Sequence, residues 1–223
     1  MAGRVARRIT VTFQGWPAEA LEFYEGLEAD NSKSYWLAHK DVYEDCVLAP
    51  MRELVAELEP ERGESRIFRP YRDLRFSKDK SPYKTEIAAE VGGGFIRLSA
   101  AGLAAGSGMY HMTTDQLDRY RSAVAADATG AALVHIIAAL QKKGIGVQGR
   151  ESLKKAPRGY PAEHPRVDLL REKGLYGWKQ WPIEPWLGTP AARTEISGFF
   201  AAVRPLTDWL AQYVGPSALV GSS

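Results

Sequence analysis

Apolar residues recur at helical spacing at both ends of the chain and alternate in its middle. After Pro17, which suits a first helical position, Leu21, Tyr24 and Leu27 share a face and predict a short helix ending near Ala29. Asn31 or Ser32 then caps a second helix, with Trp36, His39, Tyr43, Cys46 and Val47 along one stripe. Leu54, Val55 and Leu58 continue the pattern beyond Pro50, which must end, kink or restart the helix. Near the other end, Ile196, Phe199, Phe200, Val203, Leu206, Trp209 and Leu210 form the apolar stripe of a helix from about Ala191 to Val214.

Between these ends the period falls to two. Phe68, Leu74 and Phe76 lie on one face of an extended segment, with Ile67, Arg69, Tyr71, Asp73 and Arg75 on the other; Pro70 belongs at an edge or bulge. Tyr83, Thr85, Ile87, Ala89 and Val91 alternate with polar or small neighbours, Gly92-Gly93-Gly94 turns the chain, and Phe95 to Ser99 and Leu103 to Met112 follow as strands. The expectation is an antiparallel meander. Gly102, Gly106, Ser107 and Gly108 in its last strand imply either a pocket floor or a tight contact between sheet and helix. Thr113 and Gln116 have capping-box spacing ahead of Leu117, Tyr120 and Val124. A further helix runs from about Ala131 to Lys142, with Leu133, Ile136, Ile137 and Leu140 inward and His135 packed beside them. From Gly149 to Leu187 there is little regular pattern, and Tyr176, Trp178, Trp181 and Trp186 are expected in loops that pack over the core or line a pocket. The predicted fold is α+β: a single domain over 13–214, mostly an antiparallel meander packed with N-terminal, central and C-terminal helices, with an extension at 1–12 and a flexible tail at 215–223.

Composition adds boundaries. With 223 residues, 45% hydrophobic and 25% charged, the chain can bury one large core. It has no apolar run of membrane-spanning length, and the basic stretch Met1 to Arg8 is not followed by a signal-peptide core, so no membrane partner and a cytoplasmic location are expected. The single Cys46 excludes an internal disulfide. On a helix His39 and Cys46 are separated by two turns, about 10 Å, too far for a proton-transfer pair. The four histidines have no metal-ligand spacing, so no metal site is expected; Asp73, Asp79 and Glu86 are acids near the basic stretch that could serve magnesium.

Charge is what singles out one region. The chain carries a formal charge of +2, yet Arg62 to Lys84 holds eight cations against Glu64, Asp73 and Asp79, a surplus of five. Arg72 falls on the apolar face of its segment, where a guanidinium requires a carboxylate or a bound anion. The run Ser77-Lys78-Asp79-Lys80-Ser81-Pro82 adds hydroxyls, ammonium groups and the free N–H donors of a turn. One reading is a solvated edge guarded by charge. The other is a site for a small, phosphate-bearing anion formed by Arg69, Arg72, Arg75, Ser77, Lys78 and Lys84, with help from Lys155 and Arg158 in a second basic cluster. If chemistry follows binding, His111, just ahead of a helix N-terminus, or Asp73 would move the proton. Two further readings use the same residues: nucleic acid tracked by the basic strand with Tyr71, Phe76 or the tryptophans stacking on bases, and an acidic protein partner. Cofactor, reaction and oligomeric state are not legible.

The segment Arg72 to Thr85, RDLRFSKDKSPYKT, resembles the hallmark of a family of bacterial and fungal proteins catalogued as a domain of unknown function, number 2461. Phe13-Gln14-Gly15-Trp16-Pro17, Ala20 to Phe23, Asn31 to Tyr43, Gly106 to His111, Leu153-Lys154 and Arg158 to Pro161 match in support, so the resemblance runs from Phe13 to about Val214. It implies no reaction and supplies no catalytic residues.

Overall fold

The computed structural model describes residues 12–73, 75 and 80–219. The fold is α+β, and among these residues the sheet has six strands: β1 (Ser65–Ile67), β2 (Glu86–Val91), β3 (Gly94–Ser99), β4 (Gly102–Met109), β5 (Gly146–Gln148) and β6 (Leu175–Trp181). Their order is β1-β2-β3-β4-β6-β5, an antiparallel meander with β6 inserted between β4 and β5. The chain forms two compact units. The first comprises the residues up to Gly92 with Arg97–Gly102 and Ile183–Thr194; the second comprises Gly93–Ile96, Leu103–Pro182 and the residues from Glu195.

In the first unit α1 (Ala18–Ala29) follows Pro17 and buries Ala20, Phe23, Tyr24 and Leu27. Ser32 caps α2 (Lys33–Ala38), its hydroxyl accepting from the Tyr35 N–H at 3.1 Å. The helix predicted through Trp36 and Tyr43 is broken at His39, whose backbone leaves helical geometry and whose ring stacks on Tyr35 at 4.0 Å. A single turn, α3 (Lys40–Val42), leads into a π-helical segment, Tyr43–Leu48, and then α4 (Ala49–Arg62). Pro50 stands in the first turn of α4, where its missing N–H does no harm, and the wider π turn relieves its clash with the carbonyl four residues back. Met51, Leu54, Val55 and Leu58 of α4 are buried, and the helix packs against β1 and β2.

In the second unit α5 (Thr114–Ala125) begins with the predicted capping box, the Thr113 N–H donating to Gln116 at 3.0 Å. Its partner α6 (Asp127–Gln141) starts four residues earlier than the pattern suggested; Leu133 and Leu140 are buried, while His135, expected to be packed, is exposed. The long helix α8 (Ala191–Tyr213) buries every predicted stripe residue from Ile196 to Leu210. Each such burial stabilises by roughly 1.5–3 kcal/mol before entropy is counted.

The stretch expected to lack regular structure contains α7 (Val167–Arg171) and β6. Alternation in β6 is masked by Gly177, and the reason lies in α8: a Cβ at Gly177 would sit 2.5 Å from Val203 Cγ2. The glycines of β4 have a related cause. A Cβ at Gly106 would come within 2.9 Å of the Trp178 ring, the cross-strand partner, so that glycine accommodates a tryptophan of the neighbouring strand. Trp178 and Trp181 are therefore strand residues. The segment read as a loose tail is also tied down as far as Ala218. Gln116 Nε2 donates to the Gly215 carbonyl, Arg119 donates to the carbonyls of Val214 and Pro216, and Ser217 Oγ and the Ala218 N–H donate to Asp115. No single helix among the described residues is long and apolar enough to cross a membrane.

Candidate anion-binding hairpin

The basic stretch folds into a hairpin whose neck is held by main-chain bonds. The Arg72 N–H donates to the Pro82 carbonyl at 2.9 Å, the Lys84 N–H to the Pro70 carbonyl at 2.7 Å, and Tyr71 faces Tyr83 across an antiparallel bridge. Prolines stand where the chain leaves the ladder, as their missing N–H requires. Asn31 closes the neck from the helical side: its Nδ2 donates to the Tyr83 carbonyl at 3.1 Å and its Oδ1 accepts from the Tyr83 N–H at 3.0 Å. An asparagine side chain here takes the place of a third strand.

Beneath the neck lies an aromatic base. Trp36 and Tyr83 stack at 4.4 Å with planes 6° apart, Tyr43 leans on Trp36 at 4.8 Å, and Phe23 closes on both Trp36 and Tyr43. Burial pushes the Tyr43 hydroxyl up to about 12, with the nearby Arg52 charge opposing and Tyr71 and Glu44 adding to the rise. The Tyr43 hydroxyl stays protonated at any ordinary pH.

Along the outgoing arm the predicted alternation is visible. Arg69, Tyr71, Asp73 and Arg75 are exposed, whereas Phe68, Pro70 and Arg72 are half-buried. Arg72 was expected to need a carboxylate or an anion; the partner found for its Nε is the Tyr83 carbonyl, at 3.0 Å. It belongs to the neck. Arg75 grips Asp73 with two prongs, Nε at 3.0 Å and Nη2 at 2.7 Å. These bonds hold the Asp73 carboxyl below the usual carboxylate range, and Arg69 is close enough to contribute. A carboxylate so occupied is a poor proton acceptor, which weighs against the catalytic role considered for Asp73.

The structure divides the remaining candidates. Arg66 and Lys84 lie against the Phe68 ring, at 4.7 and 5.6 Å from its centre, and Arg66 also reaches Glu90 at 3.4 Å. Ser77 and Lys78 fall outside the described residues, as do Leu74, Phe76 and Asp79. Lys155 and Arg158 are exposed and belong to the second unit. His111, also there, is exposed and near enough to Glu151 to add to the effect of Lys173, whose ammonium bonds that carboxylate at 3.1 Å and is the main cause of its lowered pKa. The helix N-terminus behind His111 was expected to favour an anion. The Asp115 carboxylate, bound to the tail, supplies the negative charge there.

Neither member of the His39 and Cys46 pair is poised for reaction. His39 Nδ1 lies 2.8 Å from the Tyr35 carbonyl, and burial, reinforced by Glu19 and Asp45, pushes the Cys46 thiol up. Among the described residues no group of three or more His, Cys, Asp or Glu side chains is placed to hold a metal ion. The cap expected at Asn31 or Ser32 is supplied by Ser32, and the role of Asn31 in the neck is one that sequence reasoning missed. Nothing local signals a partner 52 positions away.

The class of protein these observations define is an α+β fold that presents a basic hairpin on an aromatic base. The chain belongs to the family described as conserved hypothetical protein (DUF2461), whose pattern matches residues 19–209. Among solved structures it is similar to a conserved hypothetical protein from Pyrococcus furiosus, at 17% identity over 74% of this chain and 96% of that one, with a TM-score of 0.37. At that score the likeness adds nothing to the fold assignment. No curated protein matches the sequence.

Proposed function

We propose that the exposed arm of the hairpin binds a small phosphate-bearing anion, with Arg69 and Arg75 as the principal contacts. The observation that carries this reading is the bidentate grip of Arg75 on Asp73 in an exposed arm where Arg69 also lies near enough to act on that carboxylate. A guanidinium fork holding a carboxylate has the geometry with which it holds a phosphate. An exposed ion pair contributes little to stability, so exchanging Asp73 for a doubly charged ligand costs the fold little. Arg72 is excluded from the contact set because its Nε holds the neck. Lys84 contributes positive potential from the Phe68 side.

The test is a thermal-shift titration with inorganic phosphate, pyrophosphate and sugar phosphates, on the native chain and on an Arg69→Ala, Arg75→Ala double variant. A Tm that rises with ligand concentration in the native chain, and does not in a variant that melts at the native temperature without ligand, supports the site. If none of these anions moves the native Tm, the charges guard an edge and the proposal falls.

A further inference from the structure

We infer that the anion bound on this face carries an aromatic ring beside its phosphate, which makes it a nucleotide, either free or within a single strand. The inference rests on the anion reading above and adds to it a large exposed ring of the same arm, Tyr71. Tyr71 and Tyr83 are cross-strand partners, yet Tyr83 is 5% exposed and Tyr71 is 51% exposed. A single exposed aromatic residue is ordinary. Its support and its neighbours are what set this one apart.

The Tyr71 ring leans on Tyr83 at 5.6 Å and on Trp36 at 6.0 Å, and those two rings are themselves locked in a parallel stack at 4.4 Å. The main chain on either side of Tyr71 is fixed by the bonds of the neck. The exposed ring is thus already immobilised by its backing, and a second ring settling on it orders little that is not ordered already. Positive charge flanks it: Arg69 stands two residues before Tyr71, and Arg75, with Asp73 in its fork, lies beyond it in the same exposed alternation. Arg69 and Tyr71 are two positions apart across the bend at Pro70, so their Cα atoms lie no more than about 7 Å apart, within the span of a nucleoside from phosphate to base. A phosphate without a base has no use for the ring, and a purely apolar ligand has none for the arginines.

The experiment is isothermal titration of the native chain and of Tyr71→Phe and Tyr71→Leu variants with ribose 5-phosphate, adenosine and cytidine 5′-monophosphates, and a twelve-residue oligodeoxynucleotide at two salt concentrations. Leucine keeps apolar packing on Trp36 and Tyr83 while removing the π face, and phenylalanine keeps the face. The expected result is that both mononucleotides bind about five-fold or more tightly than ribose 5-phosphate, as one stacked base implies. That preference is expected to persist in Tyr71→Phe and disappear in Tyr71→Leu, with ribose 5-phosphate affinity the same in all three. An oligonucleotide that binds more tightly than the monomers, with a steep salt dependence, identifies a single strand as the source; equal affinity identifies the free nucleotide. If ribose 5-phosphate and the mononucleotides bind equally, the ring inference is overturned and the anion site stands. If neither binds, both fall. A preference for nucleotides that survives Tyr71→Leu in a folded protein also overturns the assignment to Tyr71.

Discussion

Asp115 and Asp73 are both exposed to some degree, both paired with an arginine and both held below the usual carboxylate range, yet they belong to opposite kinds of structure. Asp115 accepts from Thr113, two positions away, but also from Ser217 and Ala218, 102 and 103 positions away, and its partner Arg119 ties down the carbonyls of Val214 and Pro216. Asp73 accepts from Arg75, two positions away. The bonds to the tail exist only when the chain is folded. The pair of Asp73 with Arg75 can form in any conformation that keeps the segment extended, and in the folded protein it lies on an open face. Two carboxyls shifted in the same direction therefore mean stability in one place and an exchangeable occupant in the other. The additional partners from the tail, more than 100 positions away, tell them apart.

The largest expected effect is on the clasp that Asp115 and Arg119 form with the tail. Arg119→Ala removes charge-assisted bonds to two carbonyls and to Asp115, and should destabilise the protein by about 2–3 kcal/mol in denaturant unfolding. The Ala218 amide, which donates to Asp115, should exchange faster in the same variant. A loss under about 0.5 kcal/mol with unchanged exchange would erase the distinction between the clasp and the hairpin arm.

Next in size is the hairpin neck, where Asn31→Ala deprives the Tyr83 N–H and carbonyl of a partner in a half-buried position. The cost should be about 1–2 kcal/mol, since Arg72 Nε continues to serve the carbonyl. Trp36 fluorescence, sensitive to its stack with Tyr83, reports whether the neck has opened.

Which of these features could be read from the chain follows the same division. The α8 stripe was legible because Ile196, Phe199, Phe200, Val203, Leu206, Trp209 and Leu210 repeat a local rule often enough to be unmistakable, and all seven are buried. The alternation of Arg69, Tyr71, Asp73 and Arg75 was legible for the same reason. Features set by a distant neighbour were not. Gly177 interrupts β6 because Val203 of α8 passes over it, Asn31 closes a hairpin 52 positions away, and the tail is held by α5. Arg72 shows the intermediate case: its need for a partner was visible, but the partner for its Nε proved to be a carbonyl supplied by the returning arm. Concentrated charge located the candidate site, but separating the neck, the Phe68 side and the exposed arm required coordinates.

Acid sharpens the comparison further. A carboxyl whose folded pKa is depressed contributes stability that is complete above its unfolded pKa, near 4, and is lost as the pH falls towards the folded value. For Asp115 the largest lowering comes from the Thr113 hydroxyl two positions away, and the further lowering by the Ala218 amide and the Ser217 hydroxyl is lost with the tail contacts, so that part is linked to folding. Tm should therefore decline below about pH 4, and Asp115→Asn should lower Tm at pH 7 while flattening that acid limb. Asp73→Asn should leave the limb as steep as in the native chain, because its local pair with Arg75 lowers the pKa in the unfolded chain as well.

The smallest effect on stability is also the sharpest test of the exposed arm. Asp73→Asn should move Tm by less than about 2 °C, because the pair it breaks is exposed and screened by solvent. Its effect on binding should have the opposite character. The native fork must release a carboxylate before it can take a phosphate, and the asparagine amide is a weaker competitor, so phosphate-ligand affinity should rise, by a larger factor at low salt than at high. An aspartate that instead positions Arg75 for the ligand predicts the reverse, a loss of affinity at unchanged Tm. Titrating the native chain and Asp73→Asn with pyrophosphate at two ionic strengths separates the two: a gain identifies Asp73 as an internal stand-in for the anion, and a loss assigns it to the scaffold that aims the fork.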